Sequence, residues 1–540
     1  MKRTEVDGWV RAEGKRLVNG RGEELILRGV GLGSWLLPEG YMWKLPEGGD
    51  RPRRIERMVA ELVGDEEAAS FWEAYRDRYI AEADIRRIAE EGFNSVRVPF
   101  NARMLLEGEL NGEGYNEAAL RLLDRVIRWC RTWNLYVILD MHGAPGGQTG
   151  ANIDDSEHDR PELFMNERHR VAAIGMWRML ARRYRDEWIV AGYDLLNEPL
   201  PDYHGAYHAD VQPLYRDMIR AIREVDDRHL IIVEGVHWAT DWSIFTERLD
   251  DNVLYQFHKY WNNPDTESIR RYLDFREAWE APIFMGEGGE NDLDWYAGAF
   301  RLFEDHGISW NFWTWKKMDT DNSPCSIARP EGWEKLAGYL QGGEKPDRAS
   351  ASRILTAYLD ALPLEACRYR PEVVRALFRR LPVRIPAIHY GFQGPGIGFA
   401  IAKASDWVAG YRRGDGVEIR YLDGRPRTPP TEPGWHRWDT GGGLCVQLAP
   451  GDWLAYDFTV APETGGQTYR LKIRLNAPDG PASVAAAVDG TALGVAKAEA
   501  DWTEAPLELP PLAEGGHRIV VTAREGKVRL ESLVFERSEG

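Results

Sequence analysis

From residue 25 to about residue 315 the chain alternates short, dense apolar runs with longer stretches in which apolar positions recur every three or four residues. The short runs are "LILRGVG" (25–31), "NSVRVPF" (94–100), "LYVILDM" (135–141), "GYDLLNE" (192–198), "LIIVEG" (230–235), "NVLYQFH" (252–258), "PIFMGE" (282–287) and "ISWNFWTW" (308–315). Such runs suit strands buried on both faces. Stretches such as "AALRLLDRVIRWCRTWN" and "LYRDMIRAIREVD" set charge opposite an apolar stripe, as covering helices do. Strand and helix in alternation predict a parallel sheet, and eight strands is the number that closes a (β/α)8 TIM barrel.

Ahead of the first run, "GKRLVNGRGEELIL" predicts a hairpin turning near Asn19-Gly20 and covering the bottom of the barrel. After residue 340 the alternation stops, two helical segments follow, and Pro382 and Pro386 mark a connection. From about residue 390 the chain turns to short alternating runs such as "WLAYDFTV" and "TYRLKIRLN", which predict an antiparallel β-sandwich. The expected organisation is a catalytic barrel over 1–362, a helical connection over 363–389 and a β-sandwich over 390–540.

Composition narrows the partners. With 540 residues, 43% of them hydrophobic, and 22 Trp, the chain has material for two or three cores. A net charge of −18 with no basic stripe argues against nucleic acid and anionic membranes and suits a neutral ligand such as a sugar. Cys130, Cys325, Cys367 and Cys445 are far apart and form no CxxC pair, so buried free thiols are expected, with neither a disulfide framework nor a zinc site. No apolar run reaches the ~18 residues of a membrane helix, and no apolar segment follows the basic start. The expected location is therefore cytoplasmic, or extracellular if a leader was removed.

In a (β/α)8 barrel chemistry belongs at the C-terminal ends of the strands. The predicted strands deliver Arg97, Asp140 and His142, Asn197 and Glu198, His258 and Tyr260, Glu287, and Trp313 to one rim. Glu198 and Glu287 end strands 4 and 7, which face each other across the mouth. Cleavage of a glycosidic bond needs such a pair, one carboxyl to protonate the leaving oxygen and another to attack the anomeric carbon or activate water. Glu234, closing strand 5, is the rival carboxylate. Asp140 and Asp194 are expected to brace the barrel, and His204, His208 and His237 stay unassigned. The strand ends lack a His-x-His pair or clustered Asp and His ligands, so no metal or other cofactor is expected.

The ordered set "GVGLGSW", "VRVPF", "DMHGAPGGQ", "LLNEP", "QFHKY", "MGEGG" and "NFWTWK" resembles glycoside hydrolase family 5, the cellulase family, over roughly residues 20–340. The resemblance implies a retaining hydrolase with Glu198 as acid/base and Glu287 as nucleophile. It also implies that Asn197 bonds the sugar 2-hydroxyl, that Arg97 and Tyr260 donate to Glu287, that His142 and His258 bond sugar hydroxyls and that Trp313 lies under the reacting sugar. Arg97 should hold Glu287 ionised, since a nearby cation lowers a carboxylate pKa.

The segment between strands 1 and 2 is long enough to wall the site, with Tyr41, Trp43 and, after strand 6, Trp261 as candidate sugar contacts. The "GAPGGQTG" loop resembles the exo-acting β-1,3-glucanase branch. The expected substrates are therefore β-glucans, β-gluco-oligosaccharides or β-glucosides cut from chain ends, with endo-β-1,4-glucanase and β-mannan activities as alternatives. The C-terminal domain resembles family 6-type carbohydrate-binding modules, with Trp407, Tyr411, Tyr421, Trp435 and Trp438 as candidate ligand aromatics and Trp453 and Trp502 expected in the core. A catalytically silent sugar-binding barrel is the reading from another class.

Overall fold

The computed structural model describes residues 5–107, 114–405, 409–424, 442–462 and 468–538. Eight parallel strands close a barrel in chain order: Arg28–Gly31, Ser95–Asn101, Tyr136–Gly143, Val190–Asp194, Leu230–Glu234, Val253–His258, Ile283–Gly289 and Ser309–Trp313. Every residue of these strands is buried, which is why they read as continuous apolar runs without alternation. The covering helices follow the expected period. In Glu117–Thr132, Leu120, Leu123, Ile127 and Cys130 form the buried stripe, and the Asn116 side chain caps the first turn by accepting from the N–H groups of Ala118 and Ala119.

Two elements differ from the pattern reading. Strand 4 ends at Asp194 and not at Glu198: the Leu195 and Asn197 N–H groups still donate to the neighbouring strands, at Ile232 O and Met141 O, before the backbone turns left-handed at Glu198 (φ +43°). The long segment between strands 1 and 2 is mostly helical, with helices at Pro52–Val63, Asp65–Tyr79 and Glu82–Glu90; only residues 32–51 run along the rim. At the N-terminus Arg11–Glu13, Arg16–Val18 and Glu24–Leu25 form a small antiparallel sheet, with Asn19 Oδ1 accepting from the N–H groups of Arg21 and Glu23. No helix among the described residues is long and apolar enough to cross a membrane.

The C-terminal domain has two antiparallel sheets. One contains Glu418–Tyr421, Leu444–Leu448, Val528–Arg537, Tyr469–Asn476 and Thr503–Glu508, and the other Phe399–Ala400, Trp453–Val460, Gly515–Glu525, Ala482–Val488 and Thr491–Ala498. Phe458 of the second sheet meets Phe535 of the first at 4.8 Å between ring centroids. Val383–Pro386, placed by the pattern in the connection, pairs with Val528–Arg537 and so extends the first sheet. Tyr411 and Tyr421 are buried and cannot serve as open sugar platforms. Trp453 and Trp502 are only half-buried: a period of two turns Leu454, Tyr456 and Phe458 inward, which sets Trp453 on the other face. Trp407, Trp435 and Trp438 lie outside the described residues.

This domain docks on the helix Leu293–Asp305, between barrel strands 7 and 8. Buried Arg379 donates Nε to Ala297 O at 2.8 Å, Arg384 pairs with Asp294, and the Phe392 N–H donates to Asp305 Oδ2 at 2.8 Å. Gly298 makes the approach possible, since a Cβ there would lie 2.6 Å from the His389 ring. Gly298→Val is expected to cost about 1–3 kcal/mol of stability through overpacking, read as a lowered urea midpoint.

Candidate active site

Arg97, on strand 2, is fully buried and binds the rim together. Its Nε donates to Asp194 Oδ2 (2.8 Å), Nη1 to Glu287 Oε2 (2.6 Å), and Nη2 to Asn197 Oδ1 (2.8 Å) and Glu234 Oε1 (3.2 Å); Asp140 Oδ2 lies 3.2 Å from Nη1. These partners come from strands 3, 4, 5 and 7 and from the turn after strand 4, so one side chain reads the closure of the barrel. Burial opposes its charge, but the surrounding carboxylates outweigh burial and hold the guanidinium pKa well above its usual value.

The turn Asn197-Glu198-Pro199-Leu200 is strained, with left-handed φ at Glu198 (+43°) and Leu200 (+47°), a conformation costing ~1–3 kcal/mol for a non-glycine residue. Three hydrogen bonds secure it. The Asn197 N–H donates to Met141 O (3.2 Å), the Glu198 N–H to Glu234 Oε2 (2.7 Å) and the Leu200 N–H to Gln148 O (3.3 Å). Glu234 is therefore a buried brace for the turn and for Arg97, which removes it as a rival to Glu198 and Glu287 at the surface of the site.

The Glu198 carboxyl meets His258 Nδ1 at 2.6 Å. Burial disfavours a charge on His258, yet Glu234, Glu287 and Glu198 outweigh it and raise its pKa well above the usual range, so it is an imidazolium that donates to Glu198. Glu287 accepts from Tyr260 OH at 2.5 Å as well as from Arg97. Its pKa is nonetheless raised, because burial exceeds the pull of His258 and Arg97. Arg97 lowers the Glu287 pKa as expected, but the cation only limits a rise that desolvation causes.

His142 is neutral. Burial drives its pKa down to about 4, and Nδ1 bonds Asp140 Oδ2 at 2.8 Å, leaving Nε2 near Asn197 Nδ2 (3.4 Å) as an acceptor toward the site. Its ring stacks on Trp313, with 5.4 Å between centroids and 6° between planes. Trp313 is only 2% exposed, so it forms a rigid wall more than an open platform, and its Nε1 donates to Tyr41 OH at 2.7 Å. Gly31 and Gly33 of "GVGLGSW" let this indole lie against strand 1: a Cβ at either would come within 2.6 Å or 2.7 Å of the ring.

The structure adds Glu39, which pattern reading missed. It is 2% exposed, its Oε1 has no hydrogen-bond partner among the described residues, and that atom stands 4.0 Å from His142 Nε2. Burial, then Glu287 and Glu198, push its pKa well up. The only sequence signal is a lone carboxylate in "LLPEGYMW", among aromatics. Of those, Trp43 is a core residue, fully buried against Trp72, Tyr75 and Tyr358, and does not line the site. Tyr41 and Trp261 remain at the rim, partly exposed. His237 pairs with Asp202, and His208 approaches Pro201 O, both in loops beyond the turn.

Glu198, His258 and Glu287 offer ligand atoms that all lie within 4.8 Å of one another, the one such group among the described residues able to hold a metal ion. Each is already engaged within the network, Glu198 with His258 and Glu287 with Arg97 and Tyr260. The same spacing equally suits two carboxyls acting on one bond.

Residues 63–319 match Cellulase (glycosyl hydrolase family 5). The chain is similar to a protein named beta-xylosidase from Phanerodontia chrysosporium, with 31% identity over 47% of this chain and 52% of that one. It is also similar to Endoglucanase C from Acetivibrio thermocellus, with 27% identity over 46% of this chain and 88% of the other. A third relative is a probable glucan 1,3-beta-glucosidase A from Emericella nidulans, 28% identical over 63% of this chain and 82% of that one. The chain thus spans about half the length of the first of these relatives.

Replacing Arg97 by Met leaves its carboxylate partners buried without their cation, a loss of about 3–5 kcal/mol at neutral pH. The sign of its pH dependence follows from the pKa directions. Without Arg97, Asp140 and Asp194, already raised by burial, rise further, so the variant keeps stability below the ordinary carboxylate pKa of ~4 and loses it as pH increases. The gap in urea midpoint between Arg97→Met and wild type is expected to be wider at pH 7 than at pH 4.5.

Proposed function

Residues 63–319 are a glycosyl hydrolase family 5 cellulase domain, and on that premise we propose that the protein is a retaining β-glycosidase with Glu287 as nucleophile and Glu198 as acid/base. The observation that carries this reading is the placement of carboxyl oxygens of Glu198 and Glu287 within 4.8 Å of each other. Retaining enzymes hold their carboxyls ~5–5.5 Å apart, whereas inverting enzymes leave ~6.5–9.5 Å for a water. Glu287 attacks the anomeric carbon as Glu198 passes its proton to the leaving oxygen, forming a glycosyl-enzyme ester. Glu198 then takes a proton from water, which attacks the same carbon and releases Glu287.

Neutral His142 accepts from a sugar hydroxyl through Nε2, and Asn197 supplies its amide to the 2-hydroxyl. Glu39, with an unpaired oxygen beside His142, is suited to a hydroxyl at the closed end of the site. A carboxyl buried there, within the rim segment 32–51, supports a pocket that takes a chain end. The name of one relative, glucan 1,3-beta-glucosidase, supports exo cleavage of β-glucans, short β-gluco-oligosaccharides or β-glucosides, while another is named for β-xylosides. The Endoglucanase C likeness keeps internal cleavage of β-1,4-glucan as the second reading.

Proton NMR of the first turnover on an aryl β-glucoside is expected to show the β-anomer, and Glu287→Gln to abolish turnover. Glu198→Ala is expected to lose natural substrates most while still releasing a good phenolate, with azide restoring turnover as a β-glycosyl azide. An α-anomer, or near-normal activity of Glu287→Gln, contradicts the assignment. Products from laminari-, cello- and manno-oligosaccharides separate the readings of specificity: steady monosaccharide release supports exo action, and mixed oligosaccharides support endo action. Sugar binding without cleavage indicates a silent barrel.

A further inference from the structure

The loop after strand 6, residues 259–266, carries Tyr260, whose hydroxyl donates to Glu287 Oε1 at 2.5 Å. The barrel holds one side of this loop. The Lys259 N–H donates to Glu287 O (3.0 Å), Asn291 Nδ2 to Tyr260 O (2.8 Å), Trp295 Nε1 to Asn262 O (2.9 Å), and Lys259 Nζ to Asn263 O (2.7 Å) and Ser268 Oγ (2.8 Å).

The other side is held by the C-terminal domain, about 147 residues further along the chain. Tyr411 OH donates to Pro264 O at 2.9 Å, Asn263 Nδ2 donates to Gly410 O at 3.1 Å, and the Arg412 N–H donates to Asp265 Oδ2 at 3.1 Å. All three contacts fall on consecutive residues on each side. Docking on the helix Leu293–Asp305 does not require them, since Arg379, Arg384 and Phe392 accomplish that elsewhere.

The gripping segment is itself rigid. Tyr411 is fully buried, and its hydroxyl also meets His389 Nδ1 at 2.9 Å. Arg412 is 4% exposed, donates to Gly391 O at 2.8 Å and Asp415 Oδ2 at 2.7 Å, and lies 3.4 Å from the Tyr390 ring centroid. It does so in a left-handed conformation, φ +53°, adopted by a non-glycine residue and held by every one of those contacts. Strain of this kind persists where the surroundings over-determine it, and it clusters where geometry matters to function.

We propose that the C-terminal domain is a positioning element of the active site, in which Tyr411 and Arg412 clamp Asn263–Asp265 and so hold Tyr260 on Glu287. This rests on Glu287 being the nucleophile. The domain then acts on the chemistry through one hydrogen bond and not through a sugar site of its own. Displacement of a reacting group's support by about 1 Å can cost ~100-fold in rate, so a loosened clamp is read in kcat before it is read in KM.

The test is a double-mutant cycle on the full-length protein, with Tyr411→Phe and Tyr260→Phe singly and together. Loss of the tyrosine donor raises the Glu287 pKa, and activity falls as pH falls through that pKa, so Tyr260→Phe moves the acid limb of kcat/KM upward. Glu287 is also faced by Arg97, His142, Glu198, His258, Glu39 and Tyr41, and Tyr411→Phe alters none of them. The expected result is that Tyr411→Phe lowers kcat about tenfold with KM little changed, shifts the acid limb in the same direction, and adds nothing in the Tyr260→Phe background.

Lowered thermal stability with unchanged kcat and acid limb overturns the proposal, as does full additivity with Tyr260→Phe. If Tyr411→Phe does not fold, Asn263→Ala, which removes the contact to Gly410, is held to the same outcomes. Glu287→Gln separates the two levels: retained activity there defeats the nucleophile assignment itself, whereas an inactive Glu287→Gln beside an unperturbed Tyr411→Phe defeats only the clamp.

Discussion

The site depends on one guanidinium facing four carboxylates. Arg97 is buried, and Asp140, Asp194, Glu234 and Glu287 converge on it from four other strands. None of these groups could be buried alone, since an unpaired charge in the interior is far more costly than a paired one. The network is therefore cooperative by necessity. It forms only when the barrel has closed, and once formed it fixes the amide of Asn197 and the carboxylate of Glu287 in a single geometry. His258 is the second cation, drawn into its charged form by the excess of carboxylates, and it ties the Glu198 side to the same electrostatic unit.

From this follows a division of labour among residues that look alike in sequence. Glu234 closes strand 5 and Glu287 lies near the end of strand 7, and both accept from Arg97, yet Glu234 is turned to the Glu198 N–H while Glu287 is presented at the surface of the site. His142 and His258 both lie at the C-terminal ends of strands, yet one is neutral, with a pKa of about 4, and the other is an imidazolium. Residue type alone does not decide such roles: burial prevails at His142, where Arg97 also opposes a charge, while at His258 the carboxylates, Glu198 in direct hydrogen bond among them, prevail over burial.

Much of this was legible in the chain. The eight strands could be read because burial on both faces leaves an unbroken apolar run, and the rim residues could be read because each such run ends in a group that no core would accept. Glu39 was not legible, since it sits in an irregular rim segment with no period to mark it as pointing inward. Trp43 in the same segment was misread as a site residue for the same reason. In the C-terminal domain, Trp453 was placed in the core because it belongs to a strand, but the phase of that strand turns its even-numbered neighbours inward. Tyr411 read as a candidate sugar contact; its burial against a loop 147 residues away is a tertiary fact that no local pattern encodes.

The glycines beneath Trp313 have a consequence for how this barrel can vary. Gly31 ends the first strand, Gly33 follows it closely and Trp313 ends the last, so the indole sits over the seam where the two ends of the sheet meet. Any side chain at either glycine would push the indole off His142 and break the wall from the Tyr41 side. These two positions are thereby confined to glycine, and the seam that closes the barrel is fixed by the ring laid across it.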